Sequence, residues 1–264
     1  GITIECLWRR RQKRNGDRAD GREIMSDSGS ENTAVAGNDR FYKKLTINIQ
    51  NGNCTVIAFT GGGGKTSLIF RLTDELTAAG KKVIVTTTTH MAAEPERPFA
   101  ENGSTRQIKK NLEQYGYTLA ACVDKESGKL CGLPENILES LTDFCNVLLI
   151  EADGSRGFPL KVPEAWEPVI PEFTDIVIGV IGLDSLWKTV GEIAHRSGQT
   201  ARFLRKTLRD TVTAEDLIKI TCSREGLRKG TENRAYRVYL NKADVLASPE
   251  PAKEICRKLG EHGI

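Results

Sequence analysis

Three short stretches carry the residue types that phosphate chemistry needs. The first is "TGGGGKTS", Thr60 to Ser67. Glycines let backbone N–H groups converge on an anion without Cβ clashes, and a helix starting there adds its partial positive charge. In the pattern G-x-x-x-x-G-K-[ST], the lysine reaches the β/γ-phosphates and the hydroxyl coordinates Mg²⁺. Lys65 and Thr66 fill those two positions, and Gly61, Gly62, Gly63, Gly64 and Ser67 complete the expected nucleotide cradle. The first glycine of the pattern is replaced by Phe59. A sister pattern, K-G-G-x-G-K-T, has a lysine where this chain has Thr60, so the loop stands between the two forms.

The second stretch is "LLIEADGS", which sets Glu151 and Asp153 at the end of an apolar run. Ligands of open α/β sheets bind at such strand ends. Either acid is suited to hold Mg²⁺ or to orient an attacking water, and Gly154 can offer its N–H to a γ-phosphate. We expect Lys65, Glu151 and Asp153 to be catalytic, and Thr66 and Asp153 to hold the metal. The third stretch is "NKAD", with Asn241, Lys242 and Asp244. An aspartate there accepts two hydrogen bonds from the guanine N1–H and amine. Adenine would leave it unpaired, at a cost of about 1–3 kcal/mol. The expected ligand is therefore GTP ahead of ATP.

Weaker candidates surround these. "TTTTH" ends in Thr88, Thr89 and His90; "SRGFPLK" holds Arg156 and Lys161; His195 and Arg196 are adjacent. Each could face an anionic substrate or partner, and each could equally be structural or a solvated surface group.

The elements that must position these residues follow from periodicity. "CTVIAFT", Val83 to Thr86, "NVLLIEADGS", "TDIVIGVIG" and "YRVYLNKAD" read as strands buried on both faces. Leu68, Ile69, Leu72, Leu76 and Ala79 recur at helical spacing, with Gly80 as a stop. Ser104 and Gln107 suggest a capping box, with Gly116 closing that helix. "TLAACVDKESGKLCGL" reads as a hairpin, "PENILESLTDF" and "SPEPAKEICRKLG" as helices, and Thr213/Asp216 as a helix start. Alternating strands and helices predict an α/β fold: three layers around a mostly parallel sheet, of the P-loop nucleoside triphosphatase kind.

Composition narrows the class. The chain has 264 residues and a net charge of +3. Residues 1–24 hold seven Arg/Lys against four Asp/Glu, so the remainder is neutral and shows no basic stripe for nucleic acid. No apolar run approaches the about 18 residues of a membrane span. The seven cysteines form no C-x-x-C, which reads as buried thiols in a reducing cytoplasm. Residues 1–40 lack apolar periodicity and are expected to be disordered, with the first 24 a candidate non-native extension before Met25. Residues 41–264 then form the P-loop domain. The chain ends soon after "NKAD", where a further strand is expected, so a C-terminal truncation is anticipated.

The blocks "TGGGGKTSL", "KVIVTTTTHM", "KLCGLPE", "LLIEADGSRGFPLKVPEAWEPVIP", the His195-Arg196 pair and "YLNKAD" appear in an order that resembles the YqeC-type accessory proteins of selenium-dependent molybdenum hydroxylases. The resemblance covers roughly residues 44 to 262. It implies a Mg²⁺-dependent nucleoside triphosphatase that assists maturation of a selenium-containing molybdenum cofactor, with that cofactor and a hydroxylase client as partners. It also puts His90, Arg156, Lys161, His195 and Arg196 on the substrate or partner side. After Arg196 this chain has Ser197-Gly198 where the family pattern has Pro-Glu. Two other functions stay open: a P-loop small-molecule kinase, and a nucleotide-switched chaperone without turnover.

Overall fold

The structure is a computed structural model. It describes Ile4–Cys6, Tyr42, Leu45, Ile49 and residues 52–264. The five apolar runs become five parallel strands: β2 (Thr55–Gly61), β3 (Val83–Thr87), β8 (Val147–Glu151), β10 (Ile176–Gly182) and β12 (Ala235–Asn241). The sheet continues through β6 (Tyr117–Val123). Its fringe is β5 (Phe99–Glu101), β7 (Leu130–Cys131) and β4 (His90–Met91). With β1 at Ile4–Cys6, the strand order is β1-β12-β10-β2-β8-β3-β6-β7-β4, with β5 also on β6. Among the described residues of this sheet, only the β6–β7 and β7–β4 pairs are antiparallel. The expected hairpin is the β6–β7 turn.

Ile4–Cys6, the strand β1, pairs in parallel with β12 at the sheet edge. This departs from the disorder expected of residues 1–40; the rest of that segment lies outside the described residues. Backbone pairing along β12 needs no apolar periodicity, which is why composition did not signal it.

Successive side chains along each strand pack on opposite faces, so a central strand must be apolar throughout. Ile57 and Phe59 of β2 pack beneath α1 (Lys65–Ala78) with Leu68, Ile69, Leu72 and Leu76. Val56 of β2 and Leu148 and Ile150 of β8 face α2 (Thr105–Tyr115) and α3 (Glu135–Ser140). Farther along that second face, Val177 and Val238 pack against α4 (Val190–Ile193), α5 (Ser197–Leu204), α6 (Ala214–Cys222) and α7 (Glu250–Glu261). The result is a large, mostly parallel sheet with α1 on one face and α2 to α7 on the other. Phe59 is fully buried in β2, so its presence before the glycines is a packing choice rather than a loop feature.

Two local readings change. Ser104 is the N-cap of α2 but makes no side-chain cap bond, and Gln107 Oε1 accepts from the Glu101 N–H rather than from that of Ser104. Pro134 is the N-cap of α3 rather than its first residue. The Thr213/Asp216 box forms as expected. The segment 190–204, which shows no clear period, folds into α4, α5 and the two-residue strand β11 (Ala194–His195). β11 pairs in parallel with β9 (Leu160–Lys161).

Candidate functional site

β2 ends in the glycine loop, and its neighbour β8 ends in the acids. The register Phe59↔Glu151 fixes their closeness. All four glycines are sterically required. A Cβ would lie 2.4 Å from Val180 O at Gly61, 2.6 Å from Phe158 O at Gly62, 2.2 Å from Gly182 N at Gly63 and 2.6 Å from Asn241 Nδ2 at Gly64. Gly61, Gly63 and Gly64 also have positive φ.

The loop spends its own donors on the protein. Gly61 N–H donates to Asp153 Oδ2 (3.1 Å), Gly62 N–H to Val180 O (2.9 Å) and Gly63 N–H to Phe158 O (2.9 Å). The expectation that Gly61 to Gly63 turn their amides to a phosphate is therefore corrected. The N–H groups of Gly64, Lys65, Thr66 and Ser67 have no partner among the described residues, as at any helix start. They are the donors at the head of α1.

Lys65 is buried. Its Nζ donates to Gly61 O (2.7 Å) and lies 3.2 Å from Asp153 Oδ1 and 3.9 Å from Glu151 Oε1. Asp153 Oδ1 receives no hydrogen bond, so that contact is coulombic. Thr66 Oγ1 donates to Glu151 Oε2 at 2.7 Å. The hydroxyl expected on the metal thus sits with Glu151, and Asp153 lies under the loop. The reason is Lys161, which is fully buried: its Nζ is 3.2 Å from Asp153 Oδ2, 2.8 Å from Glu167 Oε2, and donates to Gly154 O at 2.6 Å. Arg196 closes the row with a 2.6 Å bond to the same Glu167 oxygen. Cations and carboxylates alternate from Arg196 through Glu167, Lys161 and Asp153 to Lys65 and Glu151.

These neighbours set the protonation states. Burial pushes the Glu151 carboxyl above its ordinary range, against Lys65 and the Thr66 bond. Burial alone would raise Glu167 too, but hydrogen bonds from Arg196 and Lys161 outweigh it and hold that carboxyl low. Burial, with Arg196 and Lys161 nearby, lowers His195 and favours neutral imidazole.

A cavity of about 690 Å³ opens over the head of α1. Gly64, Lys65, Thr66, Ser67 and Glu151 line one side, and His90, Arg156, His195 and Arg196 another, with Lys242 at its rim. The β9–β11 register His195↔Lys161 is what brings residues some 35 positions apart into one wall. Three of the cavity's cations, Arg156, Arg196 and Lys242, have left-handed backbones with φ of 49°, 53° and 59°. Non-glycine residues there cost on the order of 1–3 kcal/mol each and cluster at functional sites.

Two candidates fall elsewhere. Thr88 Oγ1 donates to Val169 O, and Thr88 N–H to Glu151 O, so this threonine braces the end of β8 and does not line the cavity. Lys161 is in the charged row, behind the wall. The "NKAD" segment does reach the loop: Asn241 Nδ2 donates to Gly63 O (2.7 Å), and Lys242 pairs with Asp184 (2.7 Å). Asp244 is exposed beside them. Sequence reasoning missed Glu167, Asp184 and Lys129, the last a cavity cation. The signal for Glu167 was available in principle, since a lysine in an apolar strand needs a buried carboxylate. A wider groove of about 880 Å³ lies along α5 and α6, bordered by Gln199, Arg202 and Lys219; the motif residues Val162 to Ala165 line it, but none of the candidate site residues does.

The glycine loop, the acids and the charged row lie within a recognisable family pattern. The family model described as "YqeC protein" matches residues 57–198, more than half the chain. The Escherichia coli (strain K12) protein described as "Uncharacterized protein YqeC" is 32% identical over 217 residues, covering 80% of this chain and 84% of that protein. The matched span includes the glycine loop, both acids, Lys161, Glu167 and the His195-Arg196 pair, the groups that build the cavity floor and wall. On that breadth of match, the chain belongs to the YqeC protein family.

Proposed function

We propose that the chain is a P-loop, Mg²⁺-dependent nucleoside triphosphatase that prefers GTP to ATP and assists maturation of a selenium-containing molybdenum cofactor or its hydroxylase. The observation that carries the nucleotide reading is the head of α1. Four N–H groups, Gly64 to Ser67, are open there beside Lys65, at the floor of a cavity. A triphosphate tail fits this donor set: the helix terminus attracts charge, and Lys65 adds a fixed cation. Thr66 and Glu151 are the residues suited to hold Mg²⁺, with the buried, unbonded Asp153 Oδ1 next to them. Mg²⁺, when bound, supplies charge neutralisation on the phosphates. The raised Glu151 carboxylate is suited to take a proton from an attacking water.

The guanine preference rests on the "NKAD" segment. Asn241 is tied to Gly63, which anchors the segment to the loop, and Asp244 stays open to solvent for a base edge. The molybdenum and selenium role rests on the family resemblance. The test is Mg²⁺-dependent binding and turnover of GTP against ATP, by calorimetry and phosphate release. Lys65→Ala should abolish both. Asp244→Asn should remove the GTP preference, by about tenfold, the scale of one hydrogen bond to a charged group. Equal GTP and ATP affinity in the parent chain refutes the guanine reading and leaves the phosphate reading standing.

A small-molecule kinase is the second reading. The cavity lining carries five cations, Lys65, Lys129, Arg156, Arg196 and Lys242, against the carboxylates Glu151 and Glu167. Arg156 and Lys129 make no ion pair with any described residue. Such a wall suits an anionic acceptor. Label from γ-labelled nucleotide appearing in a metabolite rather than in free phosphate favours this reading.

A further inference from the structure

At the opposite end of the strands that carry the site lie two thiols. Cys54 immediately precedes β2, and Cys145 stands two residues before β8. The Thr55↔Val147 register puts these strand starts side by side. The two Sγ atoms are 3.6 Å apart, joined by a thiol hydrogen bond, although the residues are 91 positions apart in the chain. Cys145 is buried and Cys54 is half-buried. Both line a cavity of about 620 Å³ whose other walls include Asn53, Lys82, Glu139, Asp143, Asn146 and Asp175. On one side the pair packs against the apolar cluster of Val56, Ile84, Leu141 and Leu148. On the other it opens onto the polar cavity, which solvent and small oxidants can enter.

We infer that Cys54 and Cys145 form a redox modification site that closes to a disulfide when it meets hydrogen peroxide. Closure brings the sulfurs from 3.6 Å to about 2.05 Å. Cys54 is the attacking thiol, because it stands nearer to solvent. The hydrogen bond to Cys145 holds its thiol below the ordinary range, against burial and the Asp175 carboxylate. Its thiolate attacks one peroxide oxygen, the O–O bond breaks, and the leaving oxygen departs as water once protonated. This leaves a sulfenic acid on Cys54. The Cys145 sulfur then attacks the Cys54 sulfur. The S–S bond forms, the S–O bond breaks, and the hydroxyl leaves with the Cys145 proton as a second water. Two thiols are oxidised and one peroxide is reduced to two waters. The link joins the base of β2, which runs into the glycine loop, to the base of β8, which ends at Glu151.

The test uses the reduced full chain and hydrogen peroxide, with no nucleotide. After brief exposure, free thiols are alkylated and the digest is mapped by mass spectrometry. The expected result is a Cys54–Cys145 cross-linked peptide about 2 Da lighter than its reduced halves, two hydrogens having been lost. Its rate should not change on tenfold dilution, since the reaction is intramolecular. Cys145→Ser should leave a sulfenic acid on Cys54 that dimedone traps, and Cys54→Ser should leave Cys145 alkylatable after denaturation. The inference is overturned if Cys54 and Cys145 stay alkylatable while Cys122, Cys131, Cys222 or Cys256 oxidise first. A cross-link that appears only between chains also overturns it. The parent chain gives the deciding result, so a poorly folding variant does not blunt the test.

Discussion

Lys161→Met probes the charged row that supports the glycine loop. Methionine keeps the stem length and removes only the ammonium. That ammonium donates to Gly154 O at 2.6 Å and lies 2.8 Å from Glu167 Oε2 and 3.2 Å from Asp153 Oδ2. Removing one member of a buried ion pair costs about 3–5 kcal/mol, because the partner charge stays buried. Here both carboxylates keep another donor: Asp153 keeps the Gly61 N–H and Lys65, and Glu167 keeps Arg196. The loss should therefore fall at the lower end, about 3 kcal/mol, or roughly two decades in the unfolding constant. Urea denaturation followed by tryptophan fluorescence and circular dichroism measures it, with the m-value unchanged. Lys161→Met/Glu167→Gln should recover part of the loss, since one stranded charge is then gone, giving a coupling of about 1 kcal/mol or more. A single-variant loss below about 1 kcal/mol, the scale of an exposed pair, refutes the reasoning. So does strict additivity of the two substitutions.

Three further outcomes follow from the same geometry. Gly63→Ala forces a Cβ to 2.2 Å from Gly182 N at a φ of 83°. It should lower the thermal midpoint and abolish Mg-nucleotide binding, with about 1–2 kcal/mol from the dihedral alone; an unchanged midpoint sinks the steric argument. Thr66→Ala removes the hydroxyl on Glu151 and should raise the Mg²⁺ needed for half-saturation with nucleotide by about tenfold or more. Unchanged Mg²⁺ dependence in a titration tells against that role. Glu151 is raised by burial, so the folded chain holds this proton where the unfolded chain, near the ordinary value of 4.5, has lost it. Its contribution to stability is full below that value and is lost as pH rises through the folded pKa. The stability of the parent relative to Glu151→Gln should therefore decline from about pH 4.5 upward; a difference that grows with pH contradicts the assigned direction.

Much of the fold was legible because burial leaves periodic traces. The five apolar runs all form strands; β2, β3, β8 and β10 are buried throughout, and β12 is buried over Val238–Leu240 with Arg237 half-buried. The residues Gly80 and Gly116 and the Thr213/Asp216 box marked helix ends through local backbone chemistry. The segment 190–204 was not legible, because α4 and α5 are short and the β9–β11 pairing that organises them joins distant residues. Ile4–Cys6 escaped for the same reason.

The site divides along the same line. By itself the sequence determined the glycine loop, Lys65, Thr66, the acid-tipped strand and "NKAD", since each is a contiguous run with its own backbone requirement. Only the tertiary structure decided how they meet. Strand order sets β8 beside β2, and register then gives Thr66 to Glu151 rather than to Asp153. Lys161 draws Asp153 beneath the loop and recruits Glu167, which no local pattern marks. The glycine amides turned out to be spent on Asp153, Val180 and Phe158, leaving the head of α1 as the open donor set. Contiguous motifs encode which groups are present. Long-range packing and charge balance encode which of them face the cavity.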